Sequence, residues 1–271
     1  MLRIGTSGYS YPDWKGIYYP PSLKQTDMLT FYAEEFDAVE INYTFYRMPL
    51  ARTLAAMGQR VPEGFRFTLK ANQVLTHART LEPTLFEDFC HALTPLQEQG
   101  KLGCVLAQFP TSFHNNDQNR SYLHYLREYM GNIPTVVEFR HRSWAKDAVF
   151  QWLNQIGLGF CCVDQPQFAV LMPAIALATA PIAYVRFHGR NAAQWWQHEQ
   201  IHERYDYSYT EAELREWLPK LQTLERQAEQ VYVFANNCYK SQSIDTARQI
   251  KALMGMPPLT NEIALQLELF Q

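Results

Sequence analysis

The chain has 271 residues, with 24 Lys and Arg against 27 Asp and Glu, a formal charge of −3 with histidines neutral. An apolar share of 47%, with 16 Phe, 16 Tyr and 6 Trp, excludes whole-chain disorder and is enough for a sizeable core. The weak negative charge excludes a protein that coats DNA through a basic surface, but leaves room for a local basic pocket.

Residues 2–8 (LRIGTSG), 38–45 (AVEINYTF) and 66–72 (RFTLKAN) read as strands, being short, rich in β-branched or aromatic residues and bounded by turn formers. A helix is predicted over 85–99, where Leu85, Phe89, Leu93 and Leu96 recur at helical spacing. A strand over 104–110 (CVLAQFP), a helix over 123–130, a strand over 135–141 (TVVEFRH) and a helix over 149–156 follow. Strands at 159–165 (GFCCVDQ) and 182–189 (IAYVRFHG) come next. Thr210 and Glu213 form a capping-box pattern opening a helix with Leu214, Trp217, Leu218 and Leu221 inward, which Pro219 should kink or end early. The eighth strand lies at 231–237 (VYVFANN), and a last helix over 244–254 stops at Gly255, Pro257 and Pro258.

The eight strands start 23 to 49 residues apart, the spacing of a strand–helix unit. The predicted fold is therefore an α/β, (β/α)₈ TIM-type barrel over residues 1–258, followed by a tail at 259–271. An open doubly wound sheet is disfavoured because no G-x-G-x-x-G follows any strand. The five cysteines, Cys90, Cys104, Cys161, Cys162 and Cys238, are odd in number, form no C-x-x-C pair and mostly sit in apolar runs. That pattern points to reduced thiols in a cytoplasmic protein. The first residues lack the apolar stretch of a signal peptide, and no window approaches a membrane-spanning length, so no membrane partner is expected.

Active sites of such barrels lie at the C-terminal strand ends. Here those ends carry Ser7, Glu40 and Asn42, Lys70 and Asn72, Gln108, Glu138 and Arg140, Asp164, Arg186 and His188, and Asn236 and Asn237. Side chains alternate faces, so 40/42, 138/140 and 186/188 are same-face pairs. If those faces point inward, a cationic half (Lys70, Arg140, Arg186, His188) meets an acidic half (Glu40, Glu138, Asp164). Structural pairs such as Glu138–Arg186 or Asp164–Lys70 are the bland alternative; polar groups at nearly every end favour a ligand site.

Cations beside amides suit a phosphate or carboxylate. The leading expectation is an enzyme, a hydrolase, lyase or isomerase, acting on an anionic, phosphorylated or nucleotide-like small molecule. Arg186, Arg140 and Asn236 would bind the anion and His188 or Glu138 would transfer protons. Lys70 would act electrostatically or as a Schiff-base nucleophile. Tyr205, Tyr207, Trp195 and Trp196 would form a lid or stacking wall. No cofactor is required on this reading. One alternative is a divalent-metal-dependent isomerase or endonuclease-like hydrolase, with Glu40, Glu138, Asp164 and His188 as ligands. Another is a non-enzymatic ligand-binding or adaptor module. The HEQIH run from His198 to His202 has the spelling of a zinc-protease motif, but it lies in a polar loop with no third ligand in view, and is expected to be a solvated loop or short helix.

Four separated motifs, GTSGYSYPDWKGIYYP, VEINYTFYRMP, EFRHRSW and YVRFHGR…RYDYSY, resemble the YecE-like family (domain of unknown function 72) from Met1 to about Met254. The resemblance implies a TIM barrel and no established activity. It adds Tyr46 and Trp144 to Ser7, Asn42, Tyr205 and Tyr207 as candidate substrate-contacting positions. The tail ends in QLELF, which resembles the sliding-clamp-binding motif of bacterial DNA polymerases and repair proteins, with Glu268 where Ser or Asp is usual. It implies a bacterial sliding clamp as partner, with Gln266 at a pocket rim, Leu267 between, and Leu269 and Phe270 in an apolar cleft. A protein held on DNA by a ring needs no basic coat of its own.

Overall fold

The chain's structure, a computed structural model, describes residues 1–259. Eight strands alternate with helices: β1 (Leu2–Thr6), α1 (Met28–Glu35), β2 (Ala38–Ile41), α2 (Tyr43–Tyr46), α3 (Ala51–Gly58), β3 (Arg66–Lys70), α4 (Pro83–Glu98), β4 (Leu102–Gln108), α5 (Asp117–Met130), β5 (Thr135–Glu138), α6 (Asp147–Gln155), β6 (Gly159–Asp164), β7 (Ile182–Phe187), α7 (Glu211–Arg215), α8 (Leu218–Gln227), β8 (Gln230–Ala235) and α9 (Gln242–Leu253). The strands run in the order β1-β8-β7-β6-β5-β4-β3-β2, each neighbouring pair parallel. The ring is joined where β1 meets β2: Ser7 bridges Glu40, and the Gly8 amide donates to the Glu40 carbonyl at 2.8 Å. Gly5 permits that approach, since a Cβ there would collide with the Ala38 carbonyl oxygen. The fold is the expected TIM-type barrel.

Predicted and observed strands agree to within three residues at each end, except at β2. Residues 43–45 leave the strand and turn into α2, because the Thr44 hydroxyl reaches the carbonyls of Ile41 (3.1 Å) and Lys70 (2.6 Å) and folds the chain over the end of β3. The capping box at Thr210 and Glu213 forms, and Pro219 splits the expected helix in two by opening α8. Helices α1 and α3 complete the units after β1 and β2. Between β6 and β7 no helix forms; Pro166, Pro173 and Pro181 punctuate residues 165–181, which cross irregularly.

The core has two parts. Outside the ring, apolar faces of the helices, such as Phe86, Phe89 and Leu93 of α4 and Leu123 and Leu126 of α5, pack fully buried against the strands. Inside it, large side chains of neighbouring strands fill the lumen: Tyr184 of β7 lies 6.3 Å from Tyr232 and 5.3 Å from Phe234 of β8, ring centre to ring centre. The lumen is a packed floor on which the polar strand ends stand.

Candidate functional site

β7 carries Tyr184 and Arg186 two residues apart, with His188 just past its end, so the period-two rule points all three inward. The Tyr184 hydroxyl donates to Glu40 Oε2 on β2 at 2.7 Å and lies 2.8 Å from the Thr68 hydroxyl on β3, crossing the whole barrel. One level higher, Arg186 bridges two carboxylates: Nη1 donates to Glu138 Oε2 and Nη2 to Glu40 Oε1, both at 2.7 Å. Nη2 also contacts Asn236 Oδ1 (3.2 Å) and Ser7 Oγ (3.5 Å). Arg140 Nε meets Glu138 Oε1 at 2.7 Å, and His188 Nε2 lies 3.2 Å from the same oxygen.

These contacts fix the protons. Burial opposes ionising Glu138, but Arg140, Arg186 and His188 more than offset it and hold its carboxyl well below the usual range. The ionised Glu138 can only accept, so His188 carries its proton on Nε2. His188 Nδ1 then accepts from Asn236 Nδ2 at 3.0 Å, and Asn236 turns its Oδ1 to Arg186. Burial and the nearby Arg140 push His188 down to about 3, so the ring is neutral at pH 7. Both of its nitrogens are engaged. Glu40, Glu138, Arg186 and His188 thus form a fully buried network, with Arg186 Nε left without a hydrogen-bond partner among the described residues.

The site is unsatisfied on one side. The Nζ of Lys70 has no hydrogen-bond partner and no carboxylate within 4 Å among the described residues; it sits 4.2 Å from the centre of the Phe45 ring. Burial and the Arg186 charge lower Lys70 to about 7. The terminal nitrogens of Arg140 likewise have no partner among the described residues, its Nε alone meeting Glu138. Asn42 Oδ1 is buried with no partner. Beyond β3 a one-turn π-helix (Val74–Ala78) ends at Arg79 in the left-handed region, φ 55°. It brings His77 edge-on to Phe45, and burial together with Lys70, Arg79 and Arg140 lowers His77 to about 4. A strained backbone and a π-turn beside the free cations are features that cluster at functional sites.

The other candidates lie at varying distance from this mouth. Trp195 is buried and Tyr205 half-buried, with ring centres 6.5 Å and 6.2 Å from His188, so they wall the mouth; Trp196 is exposed on the outer surface. Tyr46 is a rim residue, 68% exposed. Tyr207 points away, its hydroxyl on Glu213. Trp144 is buried outside the ring, stacked 4.2 Å from Phe139, with its Nε1 on the Phe113 carbonyl at 2.7 Å. Asp164 also faces outward: it accepts from Arg190 (2.8 Å), Tyr209 (2.6 Å) and Trp217 (2.7 Å), and the pair with Lys70 does not form. The four donors considered for a metal are therefore not gathered, and no group of three His, Cys, Asp or Glu side chains suits an ion among the described residues. In the HEQIH run, His198 lies in a loop with Nδ1 3.1 Å from the Gln194 carbonyl, and His202 stacks on Tyr239 at 4.5 Å. Gln266, Leu267, Leu269 and Phe270 lie outside the described residues. All five cysteines are free, and no helix among the described residues is long and apolar enough to cross a membrane.

Sequence reasoning passed over Tyr184, Phe45 and His77. Tyr184 was findable, being two residues before Arg186 on the same face. Phe45 and His77 depend on turns that no strand pattern announces.

A family model described as a protein of unknown function, DUF72, matches residues 3–265. The UPF0759 protein YunF of Bacillus subtilis is 32% identical over 272 residues, which cover 94% of this chain and 95% of that protein. A crystal structure of a DUF72 family protein from Thermotoga maritima aligns with a TM-score of 0.87 at 38% identity, covering 94% of this chain and 99% of that one. A second, from Enterococcus faecalis, aligns at 0.84 and 26%, covering 95% and 96%. With one family model spanning nearly the whole length and the barrel shared with both solved structures, this chain belongs to the DUF72 family.

Proposed function

We propose that the barrel mouth binds and acts on an anionic small molecule, phosphorylated or nucleotide-like. One observation carries this reading. The two buried carboxylates, Glu40 and Glu138, are already neutralised by Arg186 and by Arg140 Nε, while Lys70 Nζ and the outer nitrogens of Arg140 remain over as unpaired donors. A pocket left with surplus positive charge and directed N–H groups selects an anion. Trp195 and Tyr205 offer aromatic surface beside it. Proton transfer falls to Lys70 rather than His188, because both imidazole nitrogens are engaged and, of the two, Lys70 is the one brought to about 7. Calorimetric titration with inorganic phosphate, pyrophosphate and nucleoside monophosphates, followed by a turnover assay on any binder, tests it. At least one should bind, and Arg140→Gln should weaken it about tenfold or more, the worth of a charge-assisted hydrogen bond. No binding, or equal binding to the variant, overturns the reading.

We further propose that residues 266–270 dock on a bacterial sliding clamp and so bring the barrel to DNA. The support is the QLELF spelling, which begins just after residue 265, where the family match stops. Purified clamp should bind the full chain and not a chain ending at Leu265; equal affinity for both, or none, removes the proposal.

A further inference from the structure

Lys70 differs from Lys101 and Lys251 in what its amine touches; Lys220 also lies over a ring, 4.6 Å from that of Trp217, but it belongs to α8, outside the barrel and away from the mouth. Lys101 Nζ donates to the carbonyls of Gly58 (2.6 Å) and Val61 (2.7 Å), and Lys251 Nζ to that of Glu35 (2.8 Å), so both ammonium groups are held by oxygen. Lys70 Nζ has only the face of Phe45 at 4.2 Å. Its backbone is fixed, the carbonyl taking the Thr44 hydroxyl at 2.6 Å and the next amide, that of Ala71, bonding the Leu106 carbonyl at 2.9 Å. A lysine anchored at its root and unbound at its tip, beside free arginine donors, has the arrangement of an amine nucleophile.

We propose that Lys70 Nζ forms an imine with the carbonyl carbon of a substrate that also carries an anionic group, the anion being held by Arg140. This rests on the anion-binding reading of the mouth and narrows it to carbonyl compounds. The amine lone pair makes the new C–N bond, and the carbonyl oxygen leaves as water with the two amine protons, so no electrons are exchanged and no oxidant or reductant is needed. Burial, and after it the Arg186 charge, favours the free amine that this step requires. The imine then withdraws electrons from the adjacent carbon, which suits carbon–carbon cleavage or proton abstraction there.

Reductive trapping tests it. The full chain is treated at pH 7 with glyoxylate and sodium cyanoborohydride, and in parallel with neutral acetaldehyde, and each lysine is followed by peptide mass spectrometry. Glyoxylate should label Lys70 about tenfold or more faster than exposed lysines such as Lys24 and Lys146. Arg140→Gln should reduce labelling by glyoxylate and not by acetaldehyde. Labelling of Lys70 at the rate of the surface lysines, or equal preference for the charged and neutral aldehydes, overturns the proposal. If phosphate or a nucleotide still binds while Lys70 stays unlabelled, the imine alone is lost; if neither occurs, the anion reading falls with it.

Discussion

Glu138 and Asp164 end neighbouring strands of the barrel, are both buried, and each accept hydrogen bonds from an arginine, yet they do different work. Glu138 faces the lumen and takes its donors from the end of its own strand, Arg140, and from β7 and its end, Arg186 and His188. Asp164 faces outward and takes its donors from the loop and helices that follow β7, Arg190, Tyr209 and Trp217. The Asp164 cluster is closed. Arg190 is shared with Glu216 and Glu213, so its charge is wholly taken up by carboxylates. The Glu138 cluster has its carboxylates paired from below but leaves Lys70 and part of Arg140 facing the mouth. Side-chain parity separates a carboxylate that fastens helices to a barrel from one that organises a cationic pocket.

The comparison breaks most visibly at Arg186. Replacing it with Met strands Glu40 as a buried, uncompensated charge and leaves Glu138 with Arg140 as its one cation, and stability measured by denaturant should fall by about 3–5 kcal/mol. Lysine should rescue only partly, since one ammonium cannot reproduce the two-pronged bridge. Asp164→Asn should cost less, about 1.5–3 kcal/mol, the range for losing charged hydrogen bonds with shape retained. It should leave ligand affinity in the mouth unchanged; a matching loss of affinity would show that the two clusters are one site.

Acid sharpens the same contrast. His188 takes its proton near pH 3 in the folded chain and near its ordinary value of about 6.5 when unfolded. Across that window the unfolded chain holds a proton that the folded one lacks, so stability falls as pH falls, by about 1.4 kcal/mol per unit. Glu138 adds to the loss at the acid end, because its depressed carboxyl stabilises the fold above its unfolded value and ceases to as pH drops. His188→Gln should flatten the slope of stability against pH between about 6 and 4.5; an unchanged slope would mean that the imidazole is charged in the fold.

The barrel itself was legible because strand composition and turn spacing are local properties. The inward direction of Glu138, Arg140, Arg186 and His188 was legible too, since alternation within one strand needs no knowledge of its neighbours. Asp164 shows the limit. Whether the last residue of a strand points in or out depends on the register against the adjoining strands, Asp164 standing opposite Phe187 rather than Arg186. Trp144 was invisible for a related reason: its stacking partners, Phe113 and Phe139, come from separate segments. Lys70 could be named from sequence, but not its solitude, which depends on Glu40 and Glu138 being claimed by Arg186.

That solitude gives the most telling prediction. Holding an ammonium beside Arg186 and Arg140 works against folding, because the unfolded chain keeps Lys70 protonated up to about pH 10.4 while the folded chain releases the proton near 7. The destabilisation is full below pH 7 and fades as pH rises toward the ordinary lysine value. Lys70→Met keeps the length of the side chain and its packing on Phe45 without the charge. The variant should therefore melt above the parent at pH 6 to 7, with the gain shrinking at higher pH, and should lose affinity for any anion bound in the mouth. A group that lowers stability while supplying the ligand's charge partner is there for function rather than for the fold. A variant that melts below the parent would place Lys70 among the structural residues, with Asp164 and Trp144.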